Sequence, residues 1–128
     1  MTPWTTAQAE RFWADEDRVH KRGLLQVYRD SAQAPHRQAV VEAFRGLGPV
    51  GMVLELGCHC GPMWTVLSKH PSLGVTEYCG LDINEAVIDA ARDEFAGDGC
   101  AWFLVGNAHK AMLLWPTNSV DVVLFCSM

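Results

Sequence analysis

Basic charge is scarce in this chain. Ten Lys plus Arg stand against fifteen Asp plus Glu, a formal charge of −5 with a pI near 5.4. That balance argues against a broad phosphate-binding surface, because nucleic-acid affinity comes largely from counterions released at Lys and Arg. Long apolar runs are missing too: none approaches the roughly 18 residues needed to cross a bilayer, so no membrane partner is expected. The N-terminus, Met1-Thr2-Pro3-Trp4 followed by a charged stretch, lacks the apolar core of a signal peptide. Five Cys make an odd number with no framework-like spacing, so they read as reduced thiols in a cytoplasmic protein. What is present is 49% hydrophobic residues over 128 positions. A domain of that size buries roughly two thirds of its unfolded surface and needs no disulfides.

Residues 1–48 read as a helical cap and residues 49–128 as an α/β core. In the cap, Thr5 and Gln8 have capping-box spacing, and Ala9, Phe12, Trp13 and Val19 follow at a period near 3.6 until Gly23 interrupts. Leu24, Leu25, Val27 and Tyr28 suggest a second short helix. Pro35 opens a third, with Ala39, Val40, Ala43, Phe44 and Leu47 as its apolar face and Gly46 and Gly48-Pro49 as its stop. From Val50 the rhythm changes to short apolar runs alternating with helices. Strands are expected at 52–56, 78–82, 102–105 and 120–125, and helices at 62–70 and 85–95, the latter capped by Asn84 and burying Ala86, Val87, Ala90, Ala91 and Phe95. Alternating strands and helices imply an open, mainly parallel α/β sheet with right-handed crossovers.

The informative segment is Leu54-Glu55-Leu56-Gly57-Cys58-His59-Cys60-Gly61, a strand entering a glycine turn that opens a helix. In open parallel sheets ligands sit beyond the carboxyl ends of the strands, where glycine lets the backbone approach closely. A dinucleotide fingerprint fails, because His59 and Pro62 occupy its second and third glycine positions. A phosphate-binding loop fails as well, for want of Gly-Lys-Ser/Thr. Asp82 ends the second strand, 21 residues after Gly61, where a carboxylate can accept both ribose hydroxyls. Asn107-Ala108 follow the third strand, where an amide and a backbone N–H can read an adenine edge. Glu55 suits an ammonium group, direct or through water. These residues ask for a ribose, an adenine-like base and a cationic tail without phosphates.

The stretches 53–61, 80–84, 106–108 and 120–125 resemble the motifs of class I S-adenosylmethionine-dependent methyltransferases, in order and spacing. That resemblance implies a Rossmann-like sheet of order 3-2-1-4, with S-adenosylmethionine as cofactor. It further implies that Glu55 and the backbone of Gly57, Cys58, His59 and Gly61 hold the methionine part. Asp82 would bind ribose, Ile83 would pack on adenine, and Asn107 with Ala108 would meet the adenine edge. His59 stands where the family has its middle glycine. The family's sheet continues beyond a fourth strand, and this chain stops at Met128. A fragment, a minimal enzyme, or a homodimer paired through Val122-Val123-Leu124-Phe125 would each account for that edge, and self-pairing into a homodimer is the expectation.

Other readings are weaker. Cys58, His59 and Cys60 lack the Cys-x-x-Cys spacing of a zinc site, so no metal is expected. Cys126 lacks the preceding proline of cytosine methyltransferases, and no Asp/Asn-Pro-Pro-Tyr/Phe run follows the fourth strand. Phe12, Trp13 and Tyr28 are core residues by spacing or else a lid over the donor. No catalytic residue is assigned, since transfer from a sulfonium needs positioning more than acid–base help. The expected activity is methyl transfer to a small-molecule acceptor, the alternatives being a non-catalytic donor-binding domain and, more weakly, an NAD-binding domain.

Overall fold

The computed structural model describes residues 3, 5–15, 24–111 and 119–125. Helix α1 spans Thr6–Ala14. Thr5 opens it with a full capping box: its hydroxyl accepts from the Gln8 N–H at 3.2 Å, and its own N–H donates to Gln8 Oε1 at 2.8 Å. Helix α2 is Leu24–Asp30, a 3-10 turn covers Ser31–Gln33, and α3 runs Pro35–Arg45 with proline at its first position. Strand β1 (Gly51–Leu56) leads through the glycine turn into α4 (Pro62–Leu67), then β2 (Val75–Asp82) and α5 (Glu85–Glu94). Strand β3 (Ala101–Val105), the short α6 (Ala108–Ala111) and β4 (Val122–Phe125) complete the described elements.

The four strands form one all-parallel sheet in the expected order, β3-β2-β1-β4. Register fixes which residues share a face. Val53 pairs with Tyr78 and Val122, and these pack with α3, α4 and α5 residues (Phe44, Met63, Trp64, Val87, Ile88) into the main core. On the other face Leu54, Leu56, Cys79 and Leu81 are buried, whereas Trp102, Leu104, Val123 and Phe125, aligned with them, are exposed.

Several boundaries and faces differ from the sequence reading. Helix α4 ends at Leu67 rather than at residue 70, because Pro71 holds the preceding residue away from helical backbone. The chain tightens there into three-residue bonds, Lys69 N–H to Val66 and His70 N–H to Leu67. Strand β2 begins three residues earlier, at Val75, and β4 two residues later, at Val122. Asp121 instead clasps β1: its carboxylate accepts the Met52 N–H at 2.8 Å. In α5 the buried residues are Val87, Ile88 and Ala91, while Ala86, Ala90 and Phe95 are half-buried. Helix α3 is rotated from its expected face. It buries Arg37, Val41 and Phe44, leaving Ala39, Ala43 and Leu47 in solvent. Helix α1 buries nothing, and Phe12 and Trp13 are exposed, packed edge-to-face with ring centroids 5.0 Å apart. The expectations for Val19, Gly23, the Tyr28 side chain and Cys126 lie outside the described residues.

Candidate donor-binding site

Parallel pairing brings three loop starts together at one end of the sheet: Gly57 after β1, Ile83 after β2 and Gly106 after β3. The turn is tied to β2 through its backbone. The N–H groups of Gly57 and Cys58 both donate to the Leu81 carbonyl, at 2.8 and 3.0 Å, and the His59 N–H donates to Asp82 Oδ2 at 3.0 Å. Asp82 Oδ1 accepts the Asn84 N–H at 3.0 Å, and the Gly106 N–H reaches the Asp82 carbonyl at 2.9 Å. One aspartate therefore joins all three loops. Burial raises its carboxyl above the ordinary aspartate value, opposed by the backbone N–H groups of Asn84, His59 and Ile83.

Positive φ recurs through the turn: Gly57 at +76°, His59 at +54° and Gly61 at +90°. Their surroundings differ. A Cβ placed on Gly57 would meet nothing within 4 Å, so this backbone faces open space. A Cβ on Gly61 would lie 2.8 Å from Phe95 Cε2 and 3.1 Å from Phe103 Cε1, so this glycine is needed for packing. His59 takes a left-handed conformation that glycine adopts more easily, at some local cost.

The cysteines of the turn point inward. Cys58 lies in the main core, its thiol pushed well above the usual range by burial and then by the Glu55 and Asp82 charges. Cys60 is also buried and is raised to about 11, chiefly by burial. Both stay protonated near neutral pH, so the turn presents backbone rather than thiolate to a ligand.

Glu55 lies on the main-core side of β1, 1% exposed. It accepts a short hydrogen bond from the hydroxyl of Tyr78, which is fully buried and stacks on Trp64 with centroids 5.0 Å apart. Burial first, and the Glu55 charge second, hold the Tyr78 phenol well above its ordinary value. The sequence reading missed this partner, although a tyrosine in the neighbouring parallel strand is the signal that could have found it.

Helix α1 is strapped across these loops. Asn84 caps α5 by accepting from Ala86 and Val87 N–H groups, and its Nδ2 donates to the carbonyls of Trp13 (3.1 Å) and Asp15 (3.2 Å). Asn107 Nδ2 donates to Glu10 Oε1 at 2.7 Å, and Lys110 Nζ lies 3.9 Å from the same oxygen. Ala108 packs against the second-face cluster, and Ile83 is half-buried. A separate concavity lies at the opposite end of the sheet, lined by Trp64, His70, Asp98 and Cys100 among others. Its aspartate is engaged by Trp64 Nε1 at 2.8 Å and the Cys100 N–H at 2.9 Å.

No curated protein matches the chain. Among solved structures, one concerning conversion of a disulfide bond into a thioacetal group during echinomycin biosynthesis is similar, with 30% identity and a TM-score of 0.57 over 73% of this chain and 37% of that one. The S-adenosylhomocysteine-bound Podospora anserina methyltransferase PaMTH1 shares 16% identity with a TM-score of 0.57, over 99% of this chain and 60% of that one. A Thiobacillus denitrificans S-adenosylmethionine-dependent methyltransferase, in complex with S-adenosyl-L-homocysteine, shares 21% identity with a TM-score of 0.52, over 79% and 42%. The latter two likenesses are of fold. The chain spans between 37% and 60% of the length of these three proteins. The family pattern described as Methyltransferase domain matches residues 53–128, more than half of the sequence. The chain belongs to the methyltransferase-domain family.

Proposed function

We propose that this chain binds S-adenosylmethionine at the carboxyl ends of β1, β2 and β3 and carries the donor half of a methyl transfer to a small-molecule acceptor. One observation carries the reading: the glycine turn and the Asp82 carboxylate meet at 3.0 Å beside backbone left open at Gly57. That fits the group, since a side chain at position 57 would fill the space a ligand needs.

In this reading Asp82, already held by backbone N–H groups of the turn and of its own loop, uses its remaining lone pairs for the ribose hydroxyls. The turn formed by Gly57, Cys58, His59 and Gly61 lies along the methionine part. Glu55 supplies buried negative charge behind that turn, opposite the ammonium. Ile83 packs on the adenine, and Asn107 with Ala108 meet its edge. Bound S-adenosylmethionine supplies a methyl carbon on a sulfonium, a good leaving group. Held by Asp82, the glycine turn and Glu55, the donor would present that methyl carbon to the acceptor's lone pair, with sulfur as the leaving group. Alignment and exclusion of water are what the protein must provide. Helix α1, tied to Asn84 and Asn107, lies over the loops after β2 and β3, the adenosine end in this reading.

The net charge of −5 favours a small acceptor over nucleic acid. The described cysteines are free thiols, which supports a reducing, cytoplasmic setting, and no described helix is long and apolar enough to cross a membrane. A second reading, a non-catalytic donor-binding unit that pairs with another copy, draws on β4, where Phe125 is 74% exposed. Release of S-adenosylhomocysteine over an acceptor panel separates the two. Turnover with any acceptor supports the enzyme. Donor binding without turnover favours the binding unit, and binding of NAD in place of the donor contradicts both.

A further inference from the structure

Helix α3 buries a cation for which the described residues provide no anion. Arg37 is 2% exposed. Its Nε donates to the Ser31 carbonyl at 3.2 Å and its Nη2 to Ser31 Oγ at 3.4 Å, while Nη1 is buried without an acceptor. Arg29, nearby, shows the ordinary solution: it is partly exposed and lies 3.5 Å from Glu94. Among the described residues Arg37 has no such carboxylate. Two neutral oxygens do not compensate a buried guanidinium, and an uncompensated charge in a protein interior is strongly unfavourable.

Position decides what the missing anion is. Helix α3 runs toward the start of β1, so its first turn, with Arg37, lies toward the end of the sheet where the glycine turn sits. The charge is felt there: burial raises the Cys60 thiol, and the guanidinium groups of Arg29 and Arg37 partly offset the rise. An unused N–H on a planar guanidinium beside this turn suits a carboxylate.

We propose that Arg37 receives the α-carboxylate of the donor's amino-acid end, through Nη1. This rests on the donor reading above and deepens it. The zwitterionic end is then met by opposite charges on two elements, Glu55 of β1 for the ammonium and Arg37 of α3 for the carboxylate. It also explains why α3 turns an arginine inward and leaves Ala39 and Ala43 in water.

Equilibrium dialysis of the full chain and of Arg37→Met, with S-adenosylhomocysteine and with 5′-methylthioadenosine, tests the assignment. The second ligand keeps the nucleoside and lacks the carboxylate and ammonium. Methionine fills much of the same space without charge, and thermal unfolding reports whether the variant folds. The expected result is roughly a 10- to 100-fold loss for S-adenosylhomocysteine, with 5′-methylthioadenosine bound within about twofold of the native protein. Equal losses for both ligands, or no loss for either, overturn the assignment while leaving the donor reading intact. Native protein that binds neither ligand overturns the donor reading and the assignment with it. Should Arg37→Met fail to fold, decarboxylated S-adenosylhomocysteine on native protein gives the second test: comparable weakening supports the assignment, and undiminished binding overturns it.

Discussion

Gly57 and Gly61 share a left-handed backbone but differ in what a methyl group would meet, and that difference separates binding from stability. Gly61→Ala adds backbone strain to a clash with Phe95 and Phe103. It should lower stability by roughly 2–4 kcal/mol, read from the urea midpoint. Gly57→Ala carries only the strain, about 1–2 kcal/mol, yet its methyl enters the open space and should weaken donor binding at least as much as it weakens the fold. Equal stability losses in the two variants would contradict this division. Asp82 adds a pH dependence. Because burial raises its carboxyl, the proton that removes acceptors for the ribose goes on at a higher pH than for an exposed aspartate. Affinity for S-adenosylhomocysteine should therefore begin to fall on acidification while exposed aspartates are still ionised. A flat profile down to the ordinary aspartate range would speak against Asp82 as the ribose acceptor.

At the scale of elements, α1 is held by named hydrogen bonds more than by buried side chains. It buries no residue, and its ties include Asn84 to the Trp13 and Asp15 carbonyls and Asn107 and Lys110 to Glu10. Glu10→Ala removes the Asn107 bond and the Lys110 ion pair, so amide exchange over residues 6–14 should quicken by roughly 2- to 10-fold while β1 and β2 stay protected. Unchanged exchange would mean that Glu10 does not hold the helix. Asn84→Ala removes an N-cap together with two ties and should cost about 1–2 kcal/mol of stability, measured by thermal unfolding. These elements also show what the sequence reveals. The order of strands, the glycine turn, the Thr5 and Asn84 caps and the position of Asp82 were legible, because each depends on neighbours in sequence or on the handedness of crossovers. The inward face of α3 was not, since alanines tolerate water and a buried arginine becomes visible only through its packing. Tyr78 as the partner of Glu55 was hidden for the same reason: the bond crosses two strands. The straps on Asn84 and Asn107 join residues at least 69 positions apart, and no local pattern marks them.

For the whole molecule, the sheet is unevenly covered. One face packs under α3, α4 and α5, whereas Trp102, Leu104, Val123 and Phe125 leave the outer strands of the other face in solvent. The proposed homodimer would pair β4 with a second copy. It predicts dimers at high micromolar concentration in sedimentation, shifted toward monomer by Val123→Lys, and a monomeric native chain would contradict it. The central claim is that Asp82 and the glycine turn form one site for the donor nucleoside. Calorimetric titration of S-adenosylhomocysteine into the native chain and Asp82→Ala tests it most directly. The account predicts single-site binding that the substitution weakens by about 1–3 kcal/mol, the loss of charged hydrogen bonds. Equal affinity in both proteins, or no heat of binding in the native chain, would contradict it.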